Sequence, residues 1–255
     1  ILMLFKLLKY DFRAMWKQFS LIWGAALVLA LVNRFTLFRN AESGLHSGLL
    51  MFAFGAVIAA MLVICISFVL DRFGRGLLGS EGYLMHTLPV HPWQLVASKL
   101  ICGMVAWIIS GWVAFLSPIL MVPFDLSDLI QFPWGKLFQG ILKHPDVPVL
   151  AAEFCLMTTS AIVLSISTMY LSMSIGHLLP HHRKLASVAA FIGLYIILIY
   201  FYTRVFTIRL VQYIMGLTTI NIHGAMLTAA FTLLIPAGLF LAAVCWILRY
   251  KLNLE

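Results

Sequence analysis

The stretch 49–70, "LLMFAFGAVIAAMLVICISFVL", contains no charged residue, and this feature constrains the fold more than any other. A helix needs about 20 mainly apolar residues to cross the hydrocarbon core of a bilayer, and this stretch is long enough. The chain of 255 residues is 63% hydrophobic and 10% charged. Soluble domains are about 45–50% apolar and about 25% charged. We therefore expect an integral membrane protein, with the lipid bilayer as its surroundings.

Apolar segments of similar length recur along the chain and predict six transmembrane helices. They are 20–38, 49–70, 93–121, 148–179, 185–205 and 225–248. The segments are continuous and lack the ten-residue alternation of an outer-membrane β-barrel, so the predicted fold class is all-α. Pro236 predicts a kink in the sixth helix. The whole chain, 1–255, is expected to form a single transmembrane domain.

The distribution of Lys and Arg predicts the orientation, because cytoplasmic segments carry an excess of them. With six spans both termini share a side, and that side holds eleven of the 17 Lys and Arg residues. The eleven are Lys6, Lys9, Arg13, Lys17, Arg72, Arg75, Lys99, Arg183, Lys184, Arg249 and Lys251. Both termini are therefore expected in the cytoplasm. The net charge of +8 is explained by contact with anionic lipid headgroups, so no nucleic-acid partner is expected.

Residues 4–19, "LFKLLKYDFRAMWKQF", have the pattern of an amphipathic helix. Lys6, Lys9, Arg13 and Lys17 fall on one face, opposite a stripe of large apolar residues. Such a helix is expected to lie in the cytoplasmic interface. It is either a simple membrane anchor or an elbow helix that frames the membrane domain of a transporter.

On the other side of the membrane, residues 122–147 form a long outer loop that includes Leu137 and Phe138 on one face of a short predicted helix. Glu153 follows near the outer end of the fourth span. An ionisable group at membrane depth is costly and points to function. Two interpretations stay open for Glu153. It lies on the substrate path, or it is an interfacial charge or a partner for an outer arginine such as Arg204.

The sequence contains no recognisable nucleotide-binding or catalytic motif. There is no GxxxxGK[ST] phosphate loop, no GxSxG and no HExxH. His177 and His181 have helical metal-ligand spacing, but Pro180 lies between them, so no metal site is expected. The four cysteines, Cys65, Cys102, Cys155 and Cys245, are interpreted as small buried apolar residues. We expect a chain that is not an enzyme, and whose energy comes from a partner.

The segment "GSEGYLMHTLPVHPWQLVASKL", 79–100, resembles the cytoplasmic region between spans two and three of ABC-2-type permeases, the membrane subunits of certain bacterial ABC exporters. "MSIGHLLPHHRKLASVAAF" at 173–191 is similar to their connection between spans four and five. "LRYKLNLE" at 248–255 resembles their C-terminal tail, and "LLKYDFRAMW" at 7–16 their elbow helix. The resemblance therefore touches both ends and the middle of the chain.

The resemblance implies a bacterial plasma-membrane exporter in which two permease subunits, identical or related, pair with two separate ABC ATPase subunits. ATP and Mg would be bound by those ATPases, and this chain would carry no cofactor. The cytoplasmic region 71–92 would contain a short coupling helix that sits in a groove of the ATPase. The exported substrate would be amphipathic, such as an antimicrobial peptide, a drug or a lipid.

Within that region the resemblance implies an ATPase contact made by eight residues. These are Glu81, Gly82, Tyr83, Leu84, His86, Thr87, Leu88 and Pro89. Their chemistry suits an interface, because Tyr83 and Leu84 offer apolar anchors while Glu81 offers a polar contact. Gly82 permits a tight turn and Pro89 ends the short helix.

Other classes of protein remain as alternatives. A secondary transporter would need an ion- or proton-binding set inside the membrane, or an inverted repeat, and neither is visible in the sequence. A membrane-bound protease or acyltransferase would need a catalytic set near one interface, which the scattered histidines do not form. A permease-like subunit that senses a compound or confers immunity, rather than transporting, stays open as a further alternative.

Overall fold

Helix accounts for almost all of the described part of the chain, because a backbone in lipid must satisfy its own polar groups. The computed structural model describes residues 2–39, 45–78, 92–121, 135, 146–179, 182–215 and 221–250. The helices are α1 (Leu2–Arg39), α2 (Leu45–Phe73), α3 (Pro92–Met121), α4 (Asp146–His177), α5 (Arg183–Ile214) and α6 (Ile222–Tyr250). No strand occurs among these residues.

All six helices are long and apolar enough to cross a membrane, which confirms the predicted number of spans and the all-α class. Their ends differ from the prediction in places. The second span does not stop at 70, since α2 continues to Phe73 and then into a π-helical turn, Gly74–Leu78. The fifth span continues to Ile214, well past the predicted end at 205. The sixth continues as one helix through Pro236.

Helix α1 joins two segments that the sequence divided between an elbow helix, 4–19, and a span, 20–38. The structure shows one continuous helix, so the predicted elbow is not a separate element. Its buried positions explain the continuity. Asp11, Met15, Phe19, Ile22, Ala26, Ala30 and Asn33 are all buried. They recur every three or four residues, so a single face of the helix packs inward along most of its length.

The chain divides into two compact units, and the first comprises Ile1–Val69 and Ile101–Phe138. Three aromatic rings contribute to its core. The ring of Phe19 lies edge-on to that of Phe68, with centroids 5.2 Å apart, and 5.4 Å from that of Trp23. Asn33 extends the contact between α1 and α2, since its side-chain amide donates to the Leu50 carbonyl at 3.2 Å.

A buried polar contact joins three helices inside this first unit. The indole N–H of Trp23 on α1 donates to the Ser110 hydroxyl on α3 at 3.0 Å. The thiol of Cys65 on α2 donates to the same oxygen at 3.2 Å. Trp23 and Cys65 belong to one apolar core, so this shared acceptor satisfies two buried donors.

The second unit comprises Leu70–Leu100 and Gln139–Glu255, and α4 lies at its centre, packed against both α5 and α6. Small hydroxyl residues make this packing close. Ser160, Ser167, Thr168 and Ser174 on α4 are buried, and each hydroxyl donates to a carbonyl of its own helix. Their polarity is therefore satisfied within α4, as is usual in membrane helices.

The junction between α4 and α5 depends on a glycine. A Cβ atom on Gly176 would lie 2.7 Å from the Ser187 backbone nitrogen and 2.8 Å from the Arg183 carbonyl oxygen, and would also collide with the Ser187 hydroxyl. Because two of these atoms are backbone, the close approach of the helices requires the absence of a side chain at this position.

Candidate functional site

The predicted ATPase contact lies outside the described residues. Those eight residues, Glu81, Gly82, Tyr83, Leu84, His86, Thr87, Leu88 and Pro89, all fall within 79–91. The long outer loop likewise lies outside, apart from residues 135, 146 and 147. The structure therefore describes what flanks the predicted coupling helix: the end of α2 before it and the start of α3 after it.

The flank on the α2 side is fixed to α4 by a stack of two rings. Phe73 and Tyr170 lie 4.1 Å apart between centroids, with an angle of 11° between their planes. Tyr170 is fully buried. One residue further on, a Cβ atom on Gly74 would lie only 2.6 Å from the Met173 methyl group. The residues just before the segment 79–91 therefore pack directly against the last third of α4.

The flank on the α3 side is close to the same turn. Lys99 is only 5% exposed, and its Cε atom would lie 3.7 Å from a Cβ atom placed on Gly76. The aliphatic part of Lys99 therefore packs against the π-helical turn. Both flanks of the segment 79–91 are packed within the second unit. A force applied to this segment would therefore act directly on packed helices.

At the other end of α4, Glu153 forms a pair with a histidine of α6. Its Oε2 atom lies 2.9 Å from Nδ1 of His223. The Glu153 side chain is 8% exposed and that of His223 is 31% exposed. An ionised carboxylate only accepts hydrogen bonds, so the His223 ring donates from Nδ1. If the second ring nitrogen also carries a proton, the contact becomes an ion pair.

The local structure explains why these two side chains meet. Glu153 lies two turns into α4 and His223 in the first turn of α6, and both helices begin at this end of the second unit. The buried carboxylate needs a hydrogen-bond donor, because burying it without one is costly. His223 supplies that donor from a position near the helix end, where part of its ring still reaches the surface.

Arg204, the arginine that the sequence offered to Glu153, has another partner. Its Nε–H donates to the Tyr200 hydroxyl at 3.0 Å, and its guanidinium carbon lies 5.0 Å from the centre of the Tyr200 ring. The predicted pairing of Glu153 with Arg204 is therefore wrong. His223 was missed because the sequence placed it in an outer connection, although it directly precedes a strongly apolar run.

The remaining titratable groups do not gather into a metal site within the described part of the chain. No group of three or more His, Cys, Asp and Glu side chains there could hold an ion. His177 bonds through Nδ1 to the Met173 carbonyl of its own helix at 3.1 Å, and His181 lies outside the described residues. Cys65 and Cys102 are buried as predicted, whereas Cys245 is only half-buried and Cys155 is exposed on the surface of α4.

Comparison with protein-family models, with curated proteins and with solved structures finds no match to this chain. The class that the fold defines is a multi-pass helical membrane protein with six candidate spans. Its site features are a buried carboxylate–histidine pair at one end of α4 and a packed base for the segment 79–91 at the other.

Proposed function

We propose that this chain is the membrane subunit of an ATP-driven ABC exporter of the ABC-2 type in a bacterial plasma membrane. The observation that carries the proposal is the segment 79–100, whose sequence resembles the ATPase-coupling region of such permeases. The packing of both flanks of this segment supports the same conclusion. The missing phosphate loop fits a chain whose ATP and Mg are bound by partner ATPase subunits.

In this proposal α4 transmits the movement of the ATPases. ATP binding would shift the coupling helix, with Tyr83 and Leu84 as its anchors in the ATPase groove. The movement would pass through the contact between Phe73 and Tyr170 into α4. Packed side chains carry such displacements because a close-packed interior does not deform continuously. A second permease subunit, identical or related, would complete the exporter.

The pair of Glu153 and His223 would then hold α4 to α6 at the end away from the coupling segment. A contact of this kind can close one end of a transport path and open when α4 moves. Glu153 can also meet a basic group on an amphipathic substrate, which is the substrate-path role expected from its place in an apolar span. Both roles need the carboxylate.

A secondary transporter is the second candidate function, and the same pair favours it. Chains of Asp, Glu and His within membrane helices are typical of proton relays. A proton-driven carrier would use the pair directly and would need no ATPase. A sensing or immunity subunit would instead bind an ATPase without exporting the compound.

Co-purification tests the leading proposal. A tagged chain, expressed with the other proteins of its host, is expected to retain a soluble ATPase in mild detergent. Replacing Tyr83 and Leu84 together by Ala should remove the ATPase from the purified complex, because two apolar anchors are lost. The variant's thermal unfolding in detergent should match that of the native chain.

Retention of the ATPase by this double variant would show that the interface lies elsewhere on the chain. Purification of the native chain without any ATPase, together with uptake or efflux that depends on a proton gradient alone, would favour the secondary transporter.

A further inference from the structure

A cleft of about 580 Å³ lies between α5 and α6, at the end where α5 stops and α6 begins. Its volume falls within the range of about 300–1,000 Å³ that is usual for small-molecule sites. On α5 it extends from Tyr202 to Tyr213, and on α6 from Asn221 to Thr232. At 1.5 Å per residue it follows each helix for about 16 Å. Such a long shape suits a chain-like ligand.

The α6 wall of the cleft is made of small residues. Gly224, Thr228 and Thr232 repeat at intervals of four, and Ala225 and Ala229 follow beside them. The Thr228 hydroxyl donates to the Gly224 carbonyl at 2.8 Å, and the Thr232 hydroxyl to the Thr228 carbonyl at 2.9 Å. Both hydroxyl protons are therefore used within α6, so this wall offers mainly methyl groups to an occupant.

At one end the cleft adjoins packed apolar residues. Tyr202 and Leu233 pack against a cluster that includes Leu198 of α5, Ala237 of α6 and Leu164 of α4. Beyond this end, Phe206 and further apolar side chains of α5 form the other wall of the cleft. The lining is thus predominantly apolar, as an acyl chain requires.

Among the described lining residues, Arg209 is the single charged side chain. It lies toward the end where α5 stops and α6 begins, which we call the mouth, and Gln212 and Asn221 line the cleft at the same end. Among the described residues no carboxylate lies within ion-pair distance of Arg209. Arg204, one and a half turns earlier on α5, is engaged by Tyr200 and does not line the cleft. The guanidinium group of Arg209 can therefore bind an anion.

The Tyr202 hydroxyl is a second group that an occupant could satisfy. It is buried, and within the described ranges it has no hydrogen-bond partner. A buried hydroxyl without a partner costs free energy, whereas a ligand oxygen beside it would remove that cost.

We propose that this cleft binds one anionic phospholipid of the surrounding bilayer, with an acyl chain between α5 and α6 and its phosphate at Arg209. Charge complementarity at the mouth selects the anion, and the apolar walls select the chain. An arginine guanidinium binds a phosphate through charge-assisted hydrogen bonds, often two in parallel. The inference does not depend on the proposed function, because binding needs only this chain.

Native mass spectrometry of the purified chain in detergent tests the proposal by titration with phosphatidylglycerol and with a diacylglycerol of the same acyl chains. Phosphatidylglycerol should bind the native chain more tightly. Arg209→Gln should weaken phosphatidylglycerol binding about tenfold or more and leave the diacylglycerol unchanged, because a charge-assisted hydrogen bond is lost. Arg204→Gln, which removes an equal charge from the same helix, should change neither lipid.

A second pair of variants tests the walls. Ala225→Leu should fill the cleft and weaken both lipids, whereas Ala242→Leu, an exposed alanine of α6 outside the cleft, should weaken neither. Glycerol phosphate at millimolar concentration should not displace the lipid, since it lacks the chain.

Equal losses in Arg204→Gln and Arg209→Gln would overturn the proposal in favour of general surface charge. Displacement by glycerol phosphate, absence of any retained lipid, or a change of oligomeric state in Ala225→Leu would overturn it as well.

Discussion

At the scale of single residues, the pair of Glu153 and His223 shows both the reach and the limit of sequence reasoning. Glu153 could be recognised because a carboxylate inside an apolar span is conspicuous. Its partner could not, because His223 lies 70 residues away and contact at that separation is decided by how α4 and α6 pack. Arg204 instead bonds Tyr200, four residues earlier on its own helix, at a spacing that brings side chains together on a helix face.

A double-mutant cycle on this pair should reveal a coupling free energy of about 1–3 kcal/mol, because a buried, charge-assisted hydrogen bond is removed. Glu153→Gln, His223→Gln and the combined variant are compared by thermal unfolding in detergent. The double variant is expected to lose less stability than the sum of the single losses. Strict additivity would mean that the contact contributes nothing.

Transport separates a structural role of Glu153 from a role on the substrate path. Glu153→Gln should weaken export at normal expression, since the proposal needs the carboxylate charge. If His223→Gln lowers stability equally and yet exports normally, the charge itself serves the substrate. Unchanged export in Glu153→Gln would remove this residue from the functional site.

Ser110 is the residue on which the polar contact of the first unit depends. Ser110→Ala should lower the free energy of unfolding by about 1–3 kcal/mol, because the buried N–H of Trp23 loses its acceptor. Ser165→Ala is the matched control, since this exposed serine bonds only its own helix. The control should change stability by no more than about 0.5 kcal/mol. Equal effects in the two variants would contradict the assigned contact.

At the scale of the elements, hydropathy predicted the number and kind of the helices but not their ends. Lys6, Lys9 and Arg13 made the start of α1 resemble a separate surface helix. The buried stripe from Asp11 through Phe19 to Asn33 shows instead that one face continues inward. Periodicity alone reports that a face is apolar, whereas whether lipid or another helix covers it depends on tertiary structure.

Helix α5 illustrates the same limit from the opposite direction. The sequence ended the predicted span at 205 and placed Arg204 and Arg209 on the outer side, yet the helix continues to Ile214. Arginine is compatible with a helix, and Arg204 is held by its own neighbour Tyr200 one turn before. Leu198 is the one buried residue of this helix, so its apolar surface is left to lipid or to another chain.

The junction of α4 and α5 makes a prediction at this scale. Gly176→Ala should destabilise the protein by about 1–3 kcal/mol, because its Cβ atom would press on the backbone of Ser187 and Arg183. Gly193→Ala on α5 is the control, since a Cβ atom there meets no atom within 4 Å. That control should be neutral or slightly stabilising, as alanine favours a helix over glycine. Thermal unfolding of both variants in detergent measures the difference.

At the scale of the whole molecule, composition was sufficient to predict a six-helix membrane protein, and the structure confirms it. In the second unit, both features of the candidate site lie on α4. The packed flanks of the segment 79–91 lie at one end of this helix, and the pair of Glu153 and His223 lies at the other. Membership of the ABC-2 class remains a proposal that depends on a resemblance. Physical patterning could not supply it, because an interface residue is defined by its partner.

The central claim is that a partner ATPase drives this chain through the segment 79–91, and ATPase stimulation tests it most directly. Reconstituted in liposomes, the native chain should raise the partner's rate of ATP hydrolysis, and replacing Tyr83 and Leu84 by Ala should abolish the increase. Replacing Leu137 and Phe138 by Ala, a similar pair in the predicted outer loop, should preserve it. Normal binding and stimulation by the Tyr83 and Leu84 variant would contradict the claim.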